Sequence, residues 1–160
     1  MAHPPELIEL TIADRGPLLV RMRELAERRD GWVNLQPVPT GEQPGIRRAR
    51  AGLFALFSAR GPELPVATWV PGELTRKGIE PDSIGLQHAG GPKARLRLAE
   101  LGVPIPTGWR VLADHPRRGL VLELPPATPP AEALDWLLRA GPALSPVTLP
   151  ERWVAVVHQR

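Results

Sequence analysis

The sequence predicts an α+β protein of one domain, residues 1–160, whose second half has a ferredoxin-like split βαβ arrangement. Three observations lead to this fold class. Segments with alternating apolar residues are interleaved with segments whose apolar residues recur three and four positions apart. Glycine and proline stand mainly at the ends of these segments. The length of 160 residues suits one domain, and the 42% of hydrophobic residues can supply its core.

The N-terminal half, residues 1–82, predicts one helix and about three antiparallel strands that extend or cover the sheet of the other half. A loosely alternating edge strand at Leu7–Ile12 precedes a helix over Pro17–Asp30. That helix begins at a proline, ends before a glycine and carries one apolar stripe, namely Leu18, Met22, Leu25 and Ala26. Three further strands are predicted, and the last two are expected to pair with each other: Trp32–Val38, Leu53–Ala59 and Val66–Val70.

The C-terminal half, residues 83–160, alternates strands and helices in the order β-α-β-β-α-β over residues 83–158. Helical stripes that begin at prolines and end at Gly102 and Gly141 mark the two helices. A turn at His115–Arg118 joins two strands, with Pro116 where a type I turn favours it. The predicted strands are Ser83–His88, Trp109–Asp114, Gly119–Leu124 and Trp153–His158, and the helices are Pro92–Leu101 and Pro130–Ala140.

This order predicts one candidate binding site, at the end of the first strand of the C-terminal half. The first two strands run parallel on either side of the third, so their C-terminal ends meet at one edge of the sheet. A helix N-terminus, two glycines and basic side chains gather there and favour a small anionic ligand. The candidate ligand-binding residues are His88, Gly90, Gly91, Lys93, Arg117 and Arg118. In the alternative interpretation, the glycines only turn the chain and the following proline begins the helix.

No sequence motif establishes catalysis. Phosphate-binding and dinucleotide-binding glycine motifs are absent, and no serine lies in a nucleophile elbow. The one acid–base hypothesis is a small enzyme in which Asp114 and His115 act beside the bound anion. The alternative is that His115 is a plain turn residue and Asp114 bonds the amides of the turn. No cofactor and no metal site are predicted, and a binding or interaction module is the main hypothesis.

The charge balance argues against a nucleic-acid-binding protein. The chain has 20 Lys and Arg against 17 Asp and Glu, a formal net charge of +3. A protein that binds the phosphate backbone usually carries a denser basic stripe. The strands at 83–88 and 119–124 also lack the aromatic residues on which RNA-recognition domains stack bases.

The sequence favours a cytoplasmic protein that has no contact with a membrane. It contains no cysteine and therefore no disulfide. The N-terminus lacks the charged and apolar regions of a signal peptide. No apolar run approaches the ~20 residues that a membrane span requires.

One tryptophan predicts self-association. Trp136 lies off the leucine stripe of the last helix and is expected to be exposed. Exposed tryptophan marks protein interfaces more often than chance. A homodimer formed through that helix is therefore expected.

Three runs of the sequence resemble a family of small uncharacterised proteins of high-GC actinobacteria. The runs are Trp69–Glu73, Ile84–Ala94 and Gly108–Val121, and the resemblance covers most of the chain. It implies a bacterial cytosolic source. It implies no particular activity, because that family has none assigned.

Overall fold

Residues 3–38 and 64–160 are described by the computed structural model of the chain. The strands are β1 (Glu6–Thr11), β2 (Trp32–Pro37), β3 (Val66–Val70), β4 (Leu74–Thr75), β5 (Gly78–Ile79), β6 (Ser83–Gln87), β7 (Arg110–His115), β8 (Gly119–Glu123) and β9 (Arg152–His158). The helices are α1 (Gly16–Arg28), α2 (Ala94–Glu100) and α3 (Pro130–Leu144). The strand predicted at Leu53–Ala59 lies outside the described residues. Within them, β3 pairs with β2 on one edge and with β6 on the other.

The architecture is α+β, with a seven-stranded antiparallel sheet in the order β1-β9-β2-β3-β6-β8-β7 and a separate β4–β5 hairpin. Every neighbouring pair is antiparallel, so β1, β2, β6 and β7 run one way and β9, β3 and β8 run the other. Two strand–helix–strand units, β1-α1-β2 and β6-α2-β7, therefore each enclose one opposed strand. In the second unit that strand is β8, and in the first it is β9 from the far end of the chain.

The position of β9 differs from a ferredoxin-like sheet built from residues 83–158 alone. That arrangement would place the last strand beside β6. Here β2 and β3 lie between them, and β9 pairs with β1 and β2. The inserted strands bury Val33, Leu35 and Trp69 completely, so the N-terminal half extends the sheet and its core.

The core of the described residues lies between the sheet and the helices α1, α2 and α3. The stripe predicted for α1 is buried at Leu18, Met22 and Leu25, and each such side chain stabilises the fold by roughly 1.5–3 kcal/mol. Both α1 and α2 contact α3, which lies between them. Because α3 has a helix on either side and the sheet beneath, it buries residues around most of its circumference.

The expectation that Trp136 is exposed is wrong. Its side chain is completely buried, its indole Nε1 donates to the carbonyl oxygen of Pro104 at 3.1 Å, and its ring lies 5.7 Å from that of Trp109. The cover comes from the segment between α2 and β7, which contains both Pro104 and Trp109. The argument for a homodimer through this helix loses its premise.

The ends of two helices also differ from the prediction. α2 begins at Ala94 because Lys93 adopts a left-handed conformation, with φ 60°, and separates Pro92 from the helix. Leu101, the last residue of the predicted helix, lies beyond the end of α2 and is 52% exposed. α3 continues past Gly141 to Leu144. A Cβ at Gly141 would lie 3.2 Å from the ring of Trp153, so this glycine serves close packing rather than helix termination.

Candidate functional site

The candidate site lies at one corner of the sheet, where the end of β6, the start of α2 and the β7–β8 turn meet. β6 and β7 flank β8 and run parallel, so the chain leaves both strands at the same edge. Asp114 links the two segments. Its Oδ1 accepts the amide of Ala94 at 3.0 Å, and its Oδ2 accepts the amide of Arg95 at 3.1 Å. The strand order thus brings the end of β7 to the helix start, at the edge that the sequence predicted.

Asp114 supplies the N-terminal cap that α2 lacks. Lys93 occupies the cap position without a side-chain capping bond, and the first turn of α2 has no acidic residue. The carboxylate satisfies two amides that would otherwise have no helical partner, and its charge suits the positive end of the helix dipole. These amides are bonded within the protein and are therefore not free for a ligand, contrary to the expectation from the sequence.

His115 takes the turn role that the sequence analysis considered for Asp114. Its Nδ1 accepts the amide of Arg117 at 3.0 Å and that of Arg118 at 3.3 Å. Gly119 follows with φ 81°, in the left-handed region that suits a glycine after such a turn. The turn is therefore fixed by its own side chain and carries two exposed arginines.

Asp114 and His115 lie on opposite faces of the sheet. Successive side chains of a strand point to opposite faces. Asp114 is opposite Leu120, which is buried under the helices, whereas His115 is opposite Gly119. An acid–base pair acting on one substrate needs both groups on one side, and this geometry gives that hypothesis no support.

His88 is buried at the same corner, with 1% of its surface exposed. Its Nδ1 accepts the amide of Gly90 at 3.0 Å, which assigns the ring proton to Nε2 when the ring is neutral. Nε2 is buried and has no hydrogen-bond partner among the described residues. Burial lowers the pKa of His88 below 6.5; the charge of Asp114 opposes this shift, and that of Arg97 adds to it. The ring is therefore neutral near pH 7, and its buried Nε2–H has no acceptor among the described residues.

The loop from His88 to α2 is tightly built at one end and open at the other. A Cβ at Gly90 would lie 3.1 Å from His88 Nδ1 and 3.3 Å from the carbonyl oxygen of Leu144, so a larger residue would disturb both. Arg97 holds this end by donating to the carbonyl oxygen of Gly90 at 3.1 Å. Gly91 has φ 79° and no atom within 4 Å of a Cβ placed there.

The corner is strongly cationic. Its exposed basic residues come from the start of α2 and from the β7–β8 turn, and they are Lys93, Arg95, Arg97, Arg117 and Arg118. Asp114 is the carboxylate among them, and both its oxygens are bonded to amides. Sequence analysis selected three of these five cations; the alternation of charge along Lys93–Arg97 was the signal for the other two.

A second polar cluster, on strands β9, β2 and β3, was not predicted from the sequence. The rings of Trp32 and His158 stack with centroids 4.5 Å apart. Asn34 Nδ2 lies 3.3 Å from His158 Nε2, and Thr68 Oγ1 donates to Asn34 Oδ1 at 2.9 Å. This cluster depends on the pairing of β2 with β9, which no local pattern in the sequence specifies. The cluster orders the strand ends through side-chain bonds within the protein.

No protein-family model matches the chain, and neither a curated protein nor a solved structure shows significant similarity to it. Within residues 3–38 and 64–160, no three His, Asp or Glu side chains come together as metal ligands would. None of the helices in these ranges is long and apolar enough to cross a bilayer.

Proposed function

We propose that this protein is a binding module that holds a small anionic ligand at the corner formed by the end of β6, the start of α2 and the β7–β8 turn. The observation that carries the proposal is the local charge. Five exposed cations lie on the two segments that Asp114 joins, and both oxygens of Asp114 are already bonded to backbone amides. On these described segments, an arriving anion therefore meets several positive charges, and the carboxylate of Asp114 is already bonded.

The residue types favour phosphate or carboxylate groups. Four of the five cations are arginines, whose planar guanidinium donates two parallel hydrogen bonds to either group. Two of them, Arg117 and Arg118, are adjacent on a turn whose backbone is fixed by His115. A fixed turn reduces the conformational entropy that ligand binding must remove. Since these side chains are exposed, salt screens the attraction, and binding is expected to weaken as salt is raised.

His88 offers a further contact on the inner side of this corner. Its Nε2–H has no partner among the described residues and can donate a hydrogen bond to an oxygen of the ligand. Because Nε2 is buried, an oxygen reaches it only after neighbouring atoms move.

Thermal-shift measurements with inorganic phosphate, pyrophosphate, a nucleoside triphosphate and citrate test the proposal. At least one of these anions should raise the melting temperature at low salt, and less so at high salt. Calorimetric titration of that anion into the Arg117→Ala/Arg118→Ala variant should show at least tenfold weaker binding, because two guanidinium contacts are lost. The matched control is Arg23→Ala/Arg28→Ala, which removes two exposed arginines from α1, remote from the corner.

Two outcomes contradict the proposal. In the first, none of the four anions changes the melting temperature at low salt. In the second, the control double variant weakens binding as much as the variant in the β7–β8 turn, which would indicate attraction to overall charge. If the single variants Arg117→Ala and Arg118→Ala bind the anion equally strongly, the two arginines contribute equally to the contact.

A further inference from the structure

The outer edge of β1 has backbone groups that face away from the sheet. Within residues 3–38 and 64–160, β1 is the terminal strand of the sheet and pairs with β9 on its inner edge. The amide of Ile12 donates to the carbonyl of Glu151, the residue directly opposite in the same register, at 3.3 Å. In an antiparallel ladder every second residue bonds the same neighbour. The even-numbered residues of β1 therefore bond β9, and Leu7, Glu9 and Thr11 face outward.

Towards both ends of β1, the outward-facing amides available for pairing stop. Pro5 has no amide hydrogen. The amide of Thr11 donates to the carbonyl oxygen of Asp14 at 3.1 Å. Leu7 and Glu9 are left between these two positions, each with an outward amide and an outward carbonyl. Such an edge is a template for another strand.

We propose that two copies of this chain pair antiparallel through β1, with Ile8 opposite its own counterpart on a two-fold axis. In this register Leu7 of one copy lies opposite Glu9 of the other. Each of these two pairs exchanges two hydrogen bonds, which uses the outward amides of both residues in both copies. Thr11 then lies opposite Pro5. Pro5 has no amide hydrogen and the amide of Thr11 is already bonded to Asp14, so no donor is left unpaired at this position.

The neighbouring registers fit less well. A two-fold axis at Glu9 would set the two glutamates opposite each other and pair Leu7 with Thr11, whose amide is already bonded to Asp14. An axis at Leu7 would pair Glu9 with Pro5, which has no amide hydrogen. The register centred on Ile8 therefore uses the available groups most completely.

The charges and the shape of β1 also suit a second copy. Glu6 is paired with Arg21, and Glu9 with Arg152, so pairing two β1 strands brings no unbalanced charges together. β1 keeps an unbroken register with β9 along its length. The other terminal strand, β7, has an irregularity between Val111 and Ala113, a device that protects sheet edges.

Single cysteines test the register directly, because the chain contains no cysteine of its own. Ile8→Cys places two thiols at a pair that is not hydrogen-bonded, with Cα atoms about 4.5 Å apart, within the range of a disulfide. Leu7→Cys and Glu9→Cys each place the two thiols about 8 Å apart at the Cα atoms, beyond that range. With diamide as oxidant, Ile8→Cys should give a covalent dimer on a non-reducing gel, and the other two variants should remain monomers.

The association itself is measured by sedimentation at a series of protein concentrations. Glu9→Pro removes one outward amide per copy and leaves the β1–β9 ladder intact. It should raise the dimer dissociation constant about 10–100-fold, since symmetry removes two hydrogen bonds. The matched control, Glu9→Ala, also loses the carboxylate and its pair with Arg152 but keeps the amide, and should change the constant less than about threefold.

Two results would overturn this proposal. One is an unmodified protein that sediments as a monomer at every concentration. The other is a disulfide that forms more readily at residue 7 or 9 than at residue 8. Because β1 and β7 are at opposite edges of the sheet, neither result bears on anion binding at the β7 corner.

Discussion

The carboxylate of Asp114 accepts the backbone amide of Ala94 at 3.0 Å across 20 residues of sequence. The bond, with its companion to the amide of Arg95, fastens the start of α2 to the end of β7. α2 has only seven residues and no capping side chain of its own. A helix this short is marginal in isolation, so its position at the candidate site depends on the cap from β7.

Replacement of Asp114 by alanine should lower the free energy of unfolding by about 1–2 kcal/mol, the usual cost of losing a helix cap. Asp114→Asn should cost less, because its amide oxygen can still accept one of the two bonds. Urea unfolding at neutral pH measures both. Equal stability of the alanine variant and the native chain would show that the cap contributes nothing to α2.

The edge that holds Asp114 was predictable from sequence because it follows from strand order. Hydrophobic alternation located β6, β7 and β8, and the split βαβ order placed the ends of β6 and β7 together. The partner of each side chain was not predictable at that level. The turn amides donate to Nδ1 of His115, while the carboxylate of Asp114 accepts from the first amides of α2. This choice depends on which face each residue of β7 occupies, and a local irregularity in the strand alters it.

Burial and long-range pairing explain the wrong expectations. The leucine stripe of α3 defines one buried face, but Trp136 packs against Pro104 and Trp109, whose positions cannot be read from any pattern within α3. The insertion of β2 and β3 beside β6 likewise depends on contacts between distant segments. Pairing of β9 with β2 also creates the contact between Asn34 and His158, which is 124 residues away in sequence.

Two glycines with the same backbone conformation should respond differently to alanine. Gly91 has φ 79° and Gly119 has φ 81°. A Cβ at Gly91 meets no atom within 4 Å, whereas one at Gly119 would lie 2.4 Å from the carbonyl oxygen of Leu86. Gly91→Ala should therefore cost only the left-handed conformation, roughly 1–2 kcal/mol. Gly119→Ala should cost roughly 1–3 kcal/mol more, because the backbone of β6 must move.

Comparing these two variants by urea unfolding separates the cost of the left-handed conformation from the cost of the steric clash. Each serves as the control for the other, because φ is matched and only the surroundings differ. If both variants lost the same stability, the close approach of β8 to the carbonyl of Leu86 would not be a constraint on residue 119.

Stability should fall in mild acid because of two histidines. Burial lowers the pKa of His88 and of His158 below the ordinary value of 6.5. The unfolded chain then takes up protons near pH 6.5 that the folded chain does not. The contribution of the two neutral histidines to the free energy of unfolding is fully present above that pH. It declines as the pH falls through 6.5 towards the folded pKa values, and it levels off below them. The slope is at most about 1.4 kcal/mol per pH unit for each histidine.

Urea unfolding between about pH 5 and 8 measures this dependence. His158→Gln keeps an oxygen that can accept from Asn34 but does not titrate, so the slope should decrease, and it should decrease again in the double variant with His88→Gln. The slope is the informative quantity, since either substitution also changes packing. A slope that stays the same in the double variant would assign the acid sensitivity to other groups.

Trp136 should behave as a core residue, and its replacement should affect stability rather than association. Trp136→Phe removes the hydrogen bond to the carbonyl oxygen of Pro104 and part of a ring that packs against Trp109. The expected loss is about 1–3 kcal/mol, from the bond and the unfilled volume together. Trp32→Phe is the matched control, because Trp32 is half-buried and no hydrogen bond to the backbone is described for it.

Sedimentation of the folded Trp136→Phe protein should match that of the native chain at each concentration. A stable Trp136→Phe variant with weakened self-association would place the interface on α3 instead of β1.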